Sequence, residues 1–126
     1  MNRPVHFEIH ATDPERMAKF YTEVFGWNVR QMPEFNYWMF DTGAGDGING
    51  GMVKRMGDKP VADCPVSAFV CSLGVASVDD ALATALDSGA TIALPKIGIP
   101  GVGWQAYIKD PDGNILGLHQ ADPNAK

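Results

Sequence analysis

The sequence predicts an α+β fold made of two βαβββ modules, and three observations lead to this prediction. The order strand–helix–strand–strand–strand occurs twice along the 126 residues, each half carries one amphipathic helix, and a polar segment separates the halves. We predict a single domain, since domains commonly have about 100–200 residues. The first module covers residues 4–56, the linker 57–64 and the second module 65–121. The modules are expected to form a curved, cup-shaped mixed sheet with one helix per module outside, and such a cup is a natural place for a small ligand.

The first module begins with an alternating strand and a capped helix. Residues 5–10 alternate apolar and polar side chains, which predicts a strand with one buried face. Asp13 precedes Pro14 and is expected to cap the helix, and Gly26 is expected to end it. The apolar residues of this helix recur at the spacing of one helical face: Met17, Phe20, Tyr21, Val24 and Phe25. Further strands are predicted at residues 27–31, 35–40 and 48–54.

The second module repeats this order. Residues 65–75 contain β-branched and aromatic side chains and predict its first strand. Ser77 with Asp80 predicts a helix start, and Gly89 is expected to end that helix. The apolar helix positions are Val78, Ala81, Leu82, Ala85 and Leu86. Three more strands are predicted at residues 91–94, 104–110 and 114–120, the last two joined by a tight turn.

The composition argues against several classes of protein. The chain has 15 acidic and 10 basic residues, and Lys54-Arg55 is its densest basic stretch, whereas nucleic-acid binders usually carry a basic stripe. No apolar run approaches the roughly 18–20 residues of a membrane span, and residues 1–6 lack the apolar region of a secretory signal. Cys64 and Cys71 are expected to be free thiols. We therefore expect a cytoplasmic protein that binds neither nucleic acid nor membranes.

Four polar side chains are expected on the sheet face turned away from the helices. His6, Glu8 and His10 occupy alternate positions of the first strand and therefore point to the same side. On the last strand, alternation places His119 on the polar face, while the leucines of that strand pack under the second helix. Sequence spacing thus allows three histidines and one glutamate on the cup faces of two strands.

Three interpretations of this polar set stay open. In the first, His6, Glu8, His10 or His119 holds a metal ion, since imidazole and carboxylate ligands suit several transition metals. In the second, Glu8 and a histidine form an acid/base pair. In the third, these side chains only satisfy one another and nearby backbone groups on a polar floor.

The ligand-binding residues that we predict beside this set are Tyr107, Gln105, Trp38 and His119. Gln105 and Tyr107 alternate with apolar residues on their strand, and we expect this polar-tipped pair to face the cup. The strand at 35–40 is apolar on both faces, so the sequence does not decide whether Tyr37 or Trp38 faces the ligand, and ordinary packing is the alternative for all these aromatics. The glycine-rich residues 97–103 are either a lid over the cup or a plain apolar connection.

A series of short motifs runs through nearly the whole chain in a fixed order: His6-Phe7-Glu8-Ile9, Asp13-Pro14-Glu15-Arg16, Phe20-Tyr21, Phe25-Gly26-Trp27, Gly50-Gly51, Ile99-Pro100-Gly101-Val102-Gly103-Trp104, Asp110-Pro111-Asp112-Gly113-Asn114 and Gly117-Leu118-His119-Gln120. Through this order and spacing the chain resembles the vicinal oxygen chelate superfamily, which includes glyoxalase I, bleomycin-resistance proteins and extradiol dioxygenases. The branch it resembles is that of the small glyoxalase-like proteins of bacteria. The resemblance implies two βαβββ modules, and a homodimer in which modules are sometimes exchanged between chains.

The resemblance also implies four metal-ligand positions, of which only His6 keeps a ligating residue. Its counterpart in the second module falls on or next to Val70, and the last-strand position carries Gly117 instead of a glutamate. Residues 50–53 hold no carboxylate. Because divalent ions in catalytic sites usually keep about three protein ligands, we expect the inherited metal site to be lost and no cofactor to be bound. A divalent metal held by rearranged ligands stays open.

The expected function is binding of a small molecule in the cup without the family metal. If the protein is an enzyme, the expected chemistry is proton transfer of the lyase or isomerase type, with Glu8 as general base, His6 or His10 as its partner and Tyr107 orienting the substrate. One alternative is a protein that sequesters a drug or metabolite without turnover. Another is a metalloenzyme, a lyase or dioxygenase, with rearranged ligands.

Overall fold

Alternating and helical apolar patterns produce eight strands and two α-helices in the computed structural model, which describes all residues, Met1–Lys126. The helices are α1 (Pro14–Phe25) and α2 (Val78–Asp87), and a short 3₁₀ turn spans Pro33–Phe35. The strands are β1 (Arg3–Ala11), β2 (Asn28–Met32), β3 (Tyr37–Asp41), β4 (Gly50–Lys54), β5 (Val70–Gly74), β6 (Thr91–Ile99), β7 (Gly103–Lys109) and β8 (Ile115–Ala121). The order βαβββ therefore occurs twice, which confirms the predicted α+β class and its repeated module.

The backbone contacts divide the chain into two compact units. The N-terminal unit contains residues 6–69, and its strands pair in the order β2-β3-β4-β1, with β4 parallel to β1 and the other pairs antiparallel. The C-terminal unit contains residues 1–5 and 70–126, and its strands pair in the order β5-β8-β7-β6, with β5 parallel to β8. Each unit thus has the same pairing scheme.

The ends of α1 follow the predicted capping residues. The Asp13 carboxylate accepts a hydrogen bond from the backbone N–H of Arg16 at 3.2 Å, and Pro14 stands at the start of the helix, where its missing N–H costs nothing. Gly26 ends the helix in the left-handed conformation with φ of 72°, which glycine adopts without strain. The predicted limits of α1 are therefore confirmed.

Replacing Asp13 with alanine is expected to lower the free energy of unfolding by about 1 kcal/mol, because the Arg16 N–H loses its capping acceptor. Urea unfolding followed by circular dichroism measures this change. Asp58→Ala, at an exposed position of the linker, is the matched control and should change stability by less than about 0.5 kcal/mol. Equal effects of the two substitutions would contradict the capping role.

The core of the N-terminal unit lies between its sheet and α1. Its buried residues come from alternate positions of three strands: Phe7, Ile9, Ala11, Trp38, Phe40 and Met52. From α1, the residues packed against this core are Met17, Ala18 and Tyr21. The predicted apolar stripe of the helix is therefore only partly correct, because Phe20, Val24 and Phe25 are 45%, 56% and 59% exposed. The helix turns Met17, Ala18 and Tyr21 toward the core instead.

The core of the C-terminal unit is formed in the same way under α2. The Ser77 hydroxyl accepts a hydrogen bond from the backbone N–H of Asp80 at 3.1 Å and begins the helix, as predicted. Gln120 adds a second cap, because its side-chain oxygen accepts a hydrogen bond from the Val78 N–H at 2.9 Å. The core residues are Val75, Val78, Ala106, Ile108 and Leu118, with Leu73, Trp104 and Leu116 packed against them. The leucines of β8 thus lie under α2, as expected.

The segment at residues 97–103 is not a lid. Residues 97–99 continue β6 and pair with β7, so that Ile97 lies opposite Gln105. The turn that follows is closed by a hydrogen bond from the Val102 N–H to the Ile99 carbonyl at 2.9 Å, with Gly101 at φ of 75°. The carbonyl of Ala125 also accepts a hydrogen bond from the Gly101 N–H at 3.0 Å. Opening this segment as a flap would break these bonds, so the plain connection is the correct alternative.

Neither helix could cross a membrane. α1 has 12 residues and α2 has 10, whereas a span takes about 20 predominantly apolar residues.

Candidate functional site

β1 separates its side chains onto two faces of the sheet of the N-terminal unit. Phe7 and Ile9 are buried in the core, while His6, Glu8 and His10 lie on the opposite face and are partly exposed. Alternation along an extended strand produces this separation, as expected. The placement of the three polar residues on one face is therefore as predicted from the sequence.

Tyr37 joins this polar face from β3. In the register of the sheet, Gly51 on β4 lies between Glu8 on β1 and Met39 on β3. A Cβ at Gly51 would overlap the Tyr37 hydroxyl and ring, so the phenol passes over a position that has no side chain. The absence of a side chain at Gly51 is what allows Tyr37 to reach β1.

The Tyr37 hydroxyl connects His6 and Glu8. Its oxygen lies 2.8 Å from His6 Nε2, and it donates a hydrogen bond to Glu8 Oε2 over 3.4 Å. Because a tyrosine hydroxyl has a single proton, donation to Glu8 requires His6 to carry a proton on Nε2 and donate it to the tyrosine oxygen. Hydrogen-bond donation thus runs from the His6 imidazole to the Tyr37 hydroxyl, and from that hydroxyl to the Glu8 carboxylate.

His10 lies on the other side of the same carboxylate. Its Nε2 is 3.9 Å from Glu8 Oε1, which is an ion pair when the imidazole is protonated. The Glu8 side chain is 14% exposed and that of His10 is 32% exposed. Glu8 thus stands between the Tyr37 hydroxyl and the His10 imidazole, and part of its side chain is accessible from solvent.

The sequence did not choose between the two aromatic residues at the start of β3, and the structure does. Trp38 is 8% exposed and lies in the core with Phe40, on the face opposite the polar residues. The predicted ligand-binding role of Trp38 does not fit this position, because alternation gives the polar face to Tyr37. The sequence held one indication of this arrangement, because Gly51 in the neighbouring strand leaves room for a long side chain. The sequence did not show the strand register that aligns Gly51 with Glu8.

The C-terminal unit carries a second polar cluster on β5, β7 and β8. Gln105 donates a hydrogen bond from Nε2 to the Ser72 hydroxyl at 3.0 Å, and its Oε1 lies 3.0 Å from His119 Nδ1. Ser72 and Gln105 are 4% and 7% exposed, and burial lowers the pKa of the His119 imidazole. Tyr107, also predicted as ligand-binding, is half-buried on the same face of β7. Ser72 was not singled out by the sequence, because a lone serine in a strand has no distinguishing pattern.

The two clusters are built by the same device. In the N-terminal unit Tyr37 passes over Gly51 to reach Glu8, and in the C-terminal unit Gln105 passes Gly117 to reach Ser72. In both, the glycine lies on the last strand of the module, in register with the first-strand residue that is reached. The repeated module therefore places a carboxylate in one cluster and a hydroxyl in the equivalent place of the other.

The residues present do not fit the metal site that the resemblance implies. A side chain at Gly117 would overlap the Ser72 hydroxyl and would come within 2.7 Å of Gln105 Nε2, so this position is filled by the second cluster. No group of three or more His, Cys, Asp or Glu side chains in the structure is arranged to hold a metal ion. Of the four implied ligands only His6 is present, and its Nε2 is engaged by Tyr37. The residues present would therefore not hold this metal in the implied way, and metal-independence itself stays a prediction.

Two surface grooves lie beside the helices rather than at the polar clusters. One of about 420 Å³ runs along α1 and reaches Trp38, and another of about 570 Å³ runs along α2 and reaches Leu118. Neither is lined by Glu8, Tyr37, Gln105 or His119. Both are lined by side chains of one helix and of neighbouring strands, polar as well as apolar.

Comparison with known proteins identifies the fold class. The family model described as bleomycin resistance protein-like N-terminal matches residues 3–43. The chain is similar to the structure of methylmalonyl-CoA epimerase from Mycobacterium tuberculosis, with a TM-score of 0.68, 12% identity, and 95% of this chain and 88% of that chain covered. It is also similar to a glyoxalase/bleomycin resistance protein/dioxygenase superfamily member from Vibrio splendidus 12B01, with a TM-score of 0.61, 19% identity, and 94% and 97% of the two chains covered.

A third similar structure carries a different activity in its name. It is named NAD-dependent benzaldehyde dehydrogenase from Legionella pneumophila, with a TM-score of 0.63, 19% identity, and 93% of this chain and 98% of that chain covered. No curated protein is significantly similar in sequence. Together the matches confirm the resemblance: the chain has the fold of the vicinal oxygen chelate superfamily, the glyoxalase/bleomycin resistance/dioxygenase group. The different names of these structures show that the fold leaves the reaction undetermined.

Proposed function

We propose that this protein binds a small molecule on the polar face of its N-terminal unit and moves a proton with Glu8, without the family metal. The observation that carries the proposal is the Tyr37 hydroxyl between His6 and Glu8, at 2.8 Å and 3.4 Å. A general base must be held in place and must be reachable by the proton it abstracts. Glu8 meets both conditions, because Tyr37 holds one oxygen and part of the side chain is accessible.

Each neighbour of Glu8 has a defined part in this proposal. Tyr37 orients the carboxylate, and His6 fixes the direction of the hydroxyl proton of Tyr37 by donating to its oxygen. His10 faces the other oxygen of Glu8 at 3.9 Å, where a protonated imidazole stabilises the ionised carboxylate. When Glu8 takes a proton from a carbon acid, the Tyr37 hydroxyl keeps its hydrogen bond to one oxygen and the proton is held on the other. Return of that proton to the same face restores the substrate. Delivery to a neighbouring atom of the enolate would complete an isomerisation, protonation of the opposite face would complete an epimerisation, and loss of a leaving group from the carbanion would complete a lyase reaction.

The similarity to methylmalonyl-CoA epimerases supports chemistry of this type. An epimerase inverts one stereocentre, and for a carbon atom beside a carbonyl group the simplest route is to remove a proton and return it. The identities of 12% and 16% to two of these structures show a shared fold only, so the substrate is part of the proposal.

The test is exchange of a carbon-bound hydrogen with deuterium oxide, followed by proton NMR. The probes are methylmalonyl-CoA and a simple α-hydroxyketone such as dihydroxyacetone, both of which have an acidic C–H beside a carbonyl group. We expect protein-dependent exchange that Glu8→Gln lowers by at least about 100-fold, since removal of a general base typically costs a factor of 10²–10⁴. Prior treatment with EDTA should leave the rate unchanged.

Glu34→Gln is the matched control, because Glu34 is an exposed carboxylate in the 3₁₀ turn and should keep the full exchange rate. Circular dichroism of both variants establishes that they are folded. Equal exchange by the wild type and Glu8→Gln would show that Glu8 is not the base. Loss of exchange after EDTA would favour the metalloenzyme with rearranged ligands.

The second candidate function is binding without turnover. The match of residues 3–43 to the bleomycin resistance protein-like model favours it. Calorimetric titration with bleomycin tests this function directly. Binding near one molecule per polypeptide, together with no exchange on either carbon acid, would replace the enzyme by a sequestering protein. We also propose a cytoplasmic location and a homodimer. The free cysteines are compatible with the first, and the family resemblance supports the second.

A further inference from the structure

His119 in the C-terminal unit is held by a chain of two hydrogen bonds that determines where its proton sits. Gln105 donates from Nε2 to Ser72 and therefore turns its carbonyl oxygen, Oε1, toward His119 Nδ1 at 3.0 Å. An amide oxygen only accepts hydrogen bonds, so Nδ1 must carry the proton and donate it. Because Ser72 and Gln105 are both almost completely buried, this arrangement is shielded from competing water.

The other nitrogen of His119 is left as an acceptor. In a neutral imidazole with Nδ1 protonated, Nε2 has a lone pair and no proton. Burial lowers the pKa of His119, which favours this neutral form near pH 7. Nε2 has no hydrogen-bond partner among the side chains and backbone groups of the structure. Only one fully buried side-chain nitrogen or oxygen in the structure lacks a hydrogen-bond partner, and it is Nε of Arg55. Because His119 Nε2 also lacks a partner, it is not fully buried. This sheet face therefore carries a fixed acceptor that has no partner and is not fully buried.

The surface around this acceptor is mainly apolar. Across β8, β7 and β6, His119 lies in register with Gln105, and Gln105 with Ile97. In the next row, Tyr107 is in register with Leu94. Ile97 and Leu94 are 45% and 40% exposed, and the pairing of β6 with β7 shifts register between them. Cross-strand neighbours share one face of a sheet, so the imidazole stands beside accessible aliphatic side chains.

We propose that His119 Nε2 accepts a hydrogen bond from an O–H or N–H group of a neutral, largely apolar small molecule bound on this face of the C-terminal unit. An anion would find little positive charge beside His119, because the histidine is neutral and Lys109, the cation on this face of β7, stands four residues from Gln105. The amide and hydroxyl behind the imidazole are used within the chain. The Ser72–Gln105 pair is a positioning element that acts through His119. The proposal does not rest on Glu8, so failure of either proposal leaves the other standing.

The first test is the tautomer of His119, measured on ¹⁵N-histidine-labelled protein by long-range proton–nitrogen correlation NMR. We expect the Nδ1–H form at pH 7, with Nε2 showing the chemical shift of an unprotonated nitrogen. Gln105→Glu should raise the pKa of His119 by about 1 or more, because a carboxylate then faces the imidazole. Gln105→Leu should remove the tautomer preference. A dominant Nε2–H form in the wild type would overturn the proposal.

The second test uses a pair of probes that differ in one hydrogen-bond donor. Phenol has an O–H group, and anisole has the same ring with a methyl ether in its place. We expect phenol to shift the His119 Nε2 resonance in a saturable way and to bind at least about fivefold more tightly than anisole, the factor expected from a typical net hydrogen bond. His119→Ala should abolish this preference, whereas Lys109→Ala, at an exposed position of β7, should keep it.

Two results would overturn the proposal at this stage. One is equal affinity for phenol and anisole in the wild type, or a preference that survives in His119→Ala. The other is the absence of any His119 shift up to the solubility limit of phenol. The methyl resonances of the C-terminal unit report whether each variant is folded, so that loss of structure is not taken for loss of the site.

Discussion

Phe40→Ala is expected to lower the free energy of unfolding by about 3–5 kcal/mol, the typical cost of deleting a buried phenyl ring. Phe40 is 1% exposed and packs against three other rings of the aromatic core of the N-terminal unit. Its ring centroid lies 6.4 Å from that of Phe7, 5.8 Å from Tyr21 and 5.7 Å from Trp27. Alanine removes these contacts together and leaves a cavity, because the three remaining rings are held by a strand, a helix and a turn that do not collapse together.

Urea unfolding followed by tryptophan fluorescence measures this loss, because Trp27 and Trp38 both belong to the N-terminal unit. Phe35→Ala is the matched control. Phe35 is 57% exposed in the 3₁₀ turn, and its removal should change the stability by less than about 0.5 kcal/mol. A loss below about 1 kcal/mol for Phe40→Ala would mean that this core is packed differently.

Gly117→Ala is expected to lower the free energy of unfolding by about 2–4 kcal/mol, although it adds a single methyl group. The new Cβ would overlap the Ser72 hydroxyl and lie within 2.7 Å of Gln105 Nε2. Overpacking of this kind typically costs about 1–3 kcal/mol. Displacement of Gln105 also leaves a buried amide without its partner, which costs about 1–3 kcal/mol more when relaxation is incomplete. A glutamate at this position, as in the implied metal site, meets the same obstacle at its first side-chain atom.

A double-mutant cycle with Ser72→Ala separates this clash from other effects of the substitution. If the Ser72 hydroxyl is the obstacle, the double variant should be more stable than the sum of the single changes by about 1 kcal/mol or more. Denaturant unfolding of the four proteins provides the measurement. Strictly additive effects would show that the methyl group is accommodated without moving Ser72, and would weaken the argument that this cluster replaces the family ligand.

The candidate site could be predicted from the sequence as far as local rules reach. Alternation along β1 placed His6, Glu8 and His10 on one face, and alternation along β7 and β8 placed Gln105 and His119 on another. These residues need only an extended backbone and one buried face to be assigned. Their partners Tyr37 and Ser72 were not predicted, because each is reached across a neighbouring strand.

The errors have the same origin. Trp38 was among the expected ligand-binding residues, but the sequence did not decide between Tyr37 and Trp38, because β3 is apolar on both faces. The packing of Trp38 in the core assigns Tyr37 to the polar face. The buried face of α1 was assigned from the spacing of apolar residues alone. Which face is buried depends on how the helix packs on the sheet, and here Ala18 belongs to the face that contacts the core. Residues 97–103 were open to interpretation as a lid because Gly98, Pro100, Gly101 and Gly103 are typical of loops, but residues 97–99 pair with β7 and extend β6.

What the sequence by itself determined is the repeated order of elements, the capped ends of both helices and the side of each strand on which the polar residues stand. These depend on interactions between residues a few positions apart, such as the Asp13 cap, and on the two-residue period of a strand. Only the tertiary structure decided which polar groups meet. Tyr37 is 29 residues from Glu8, Gln105 is 33 residues from Ser72, and both pairs form because a glycine of the last strand leaves space beneath them. Contacts over such separations depend on strand register, which the whole core determines and no local pattern encodes.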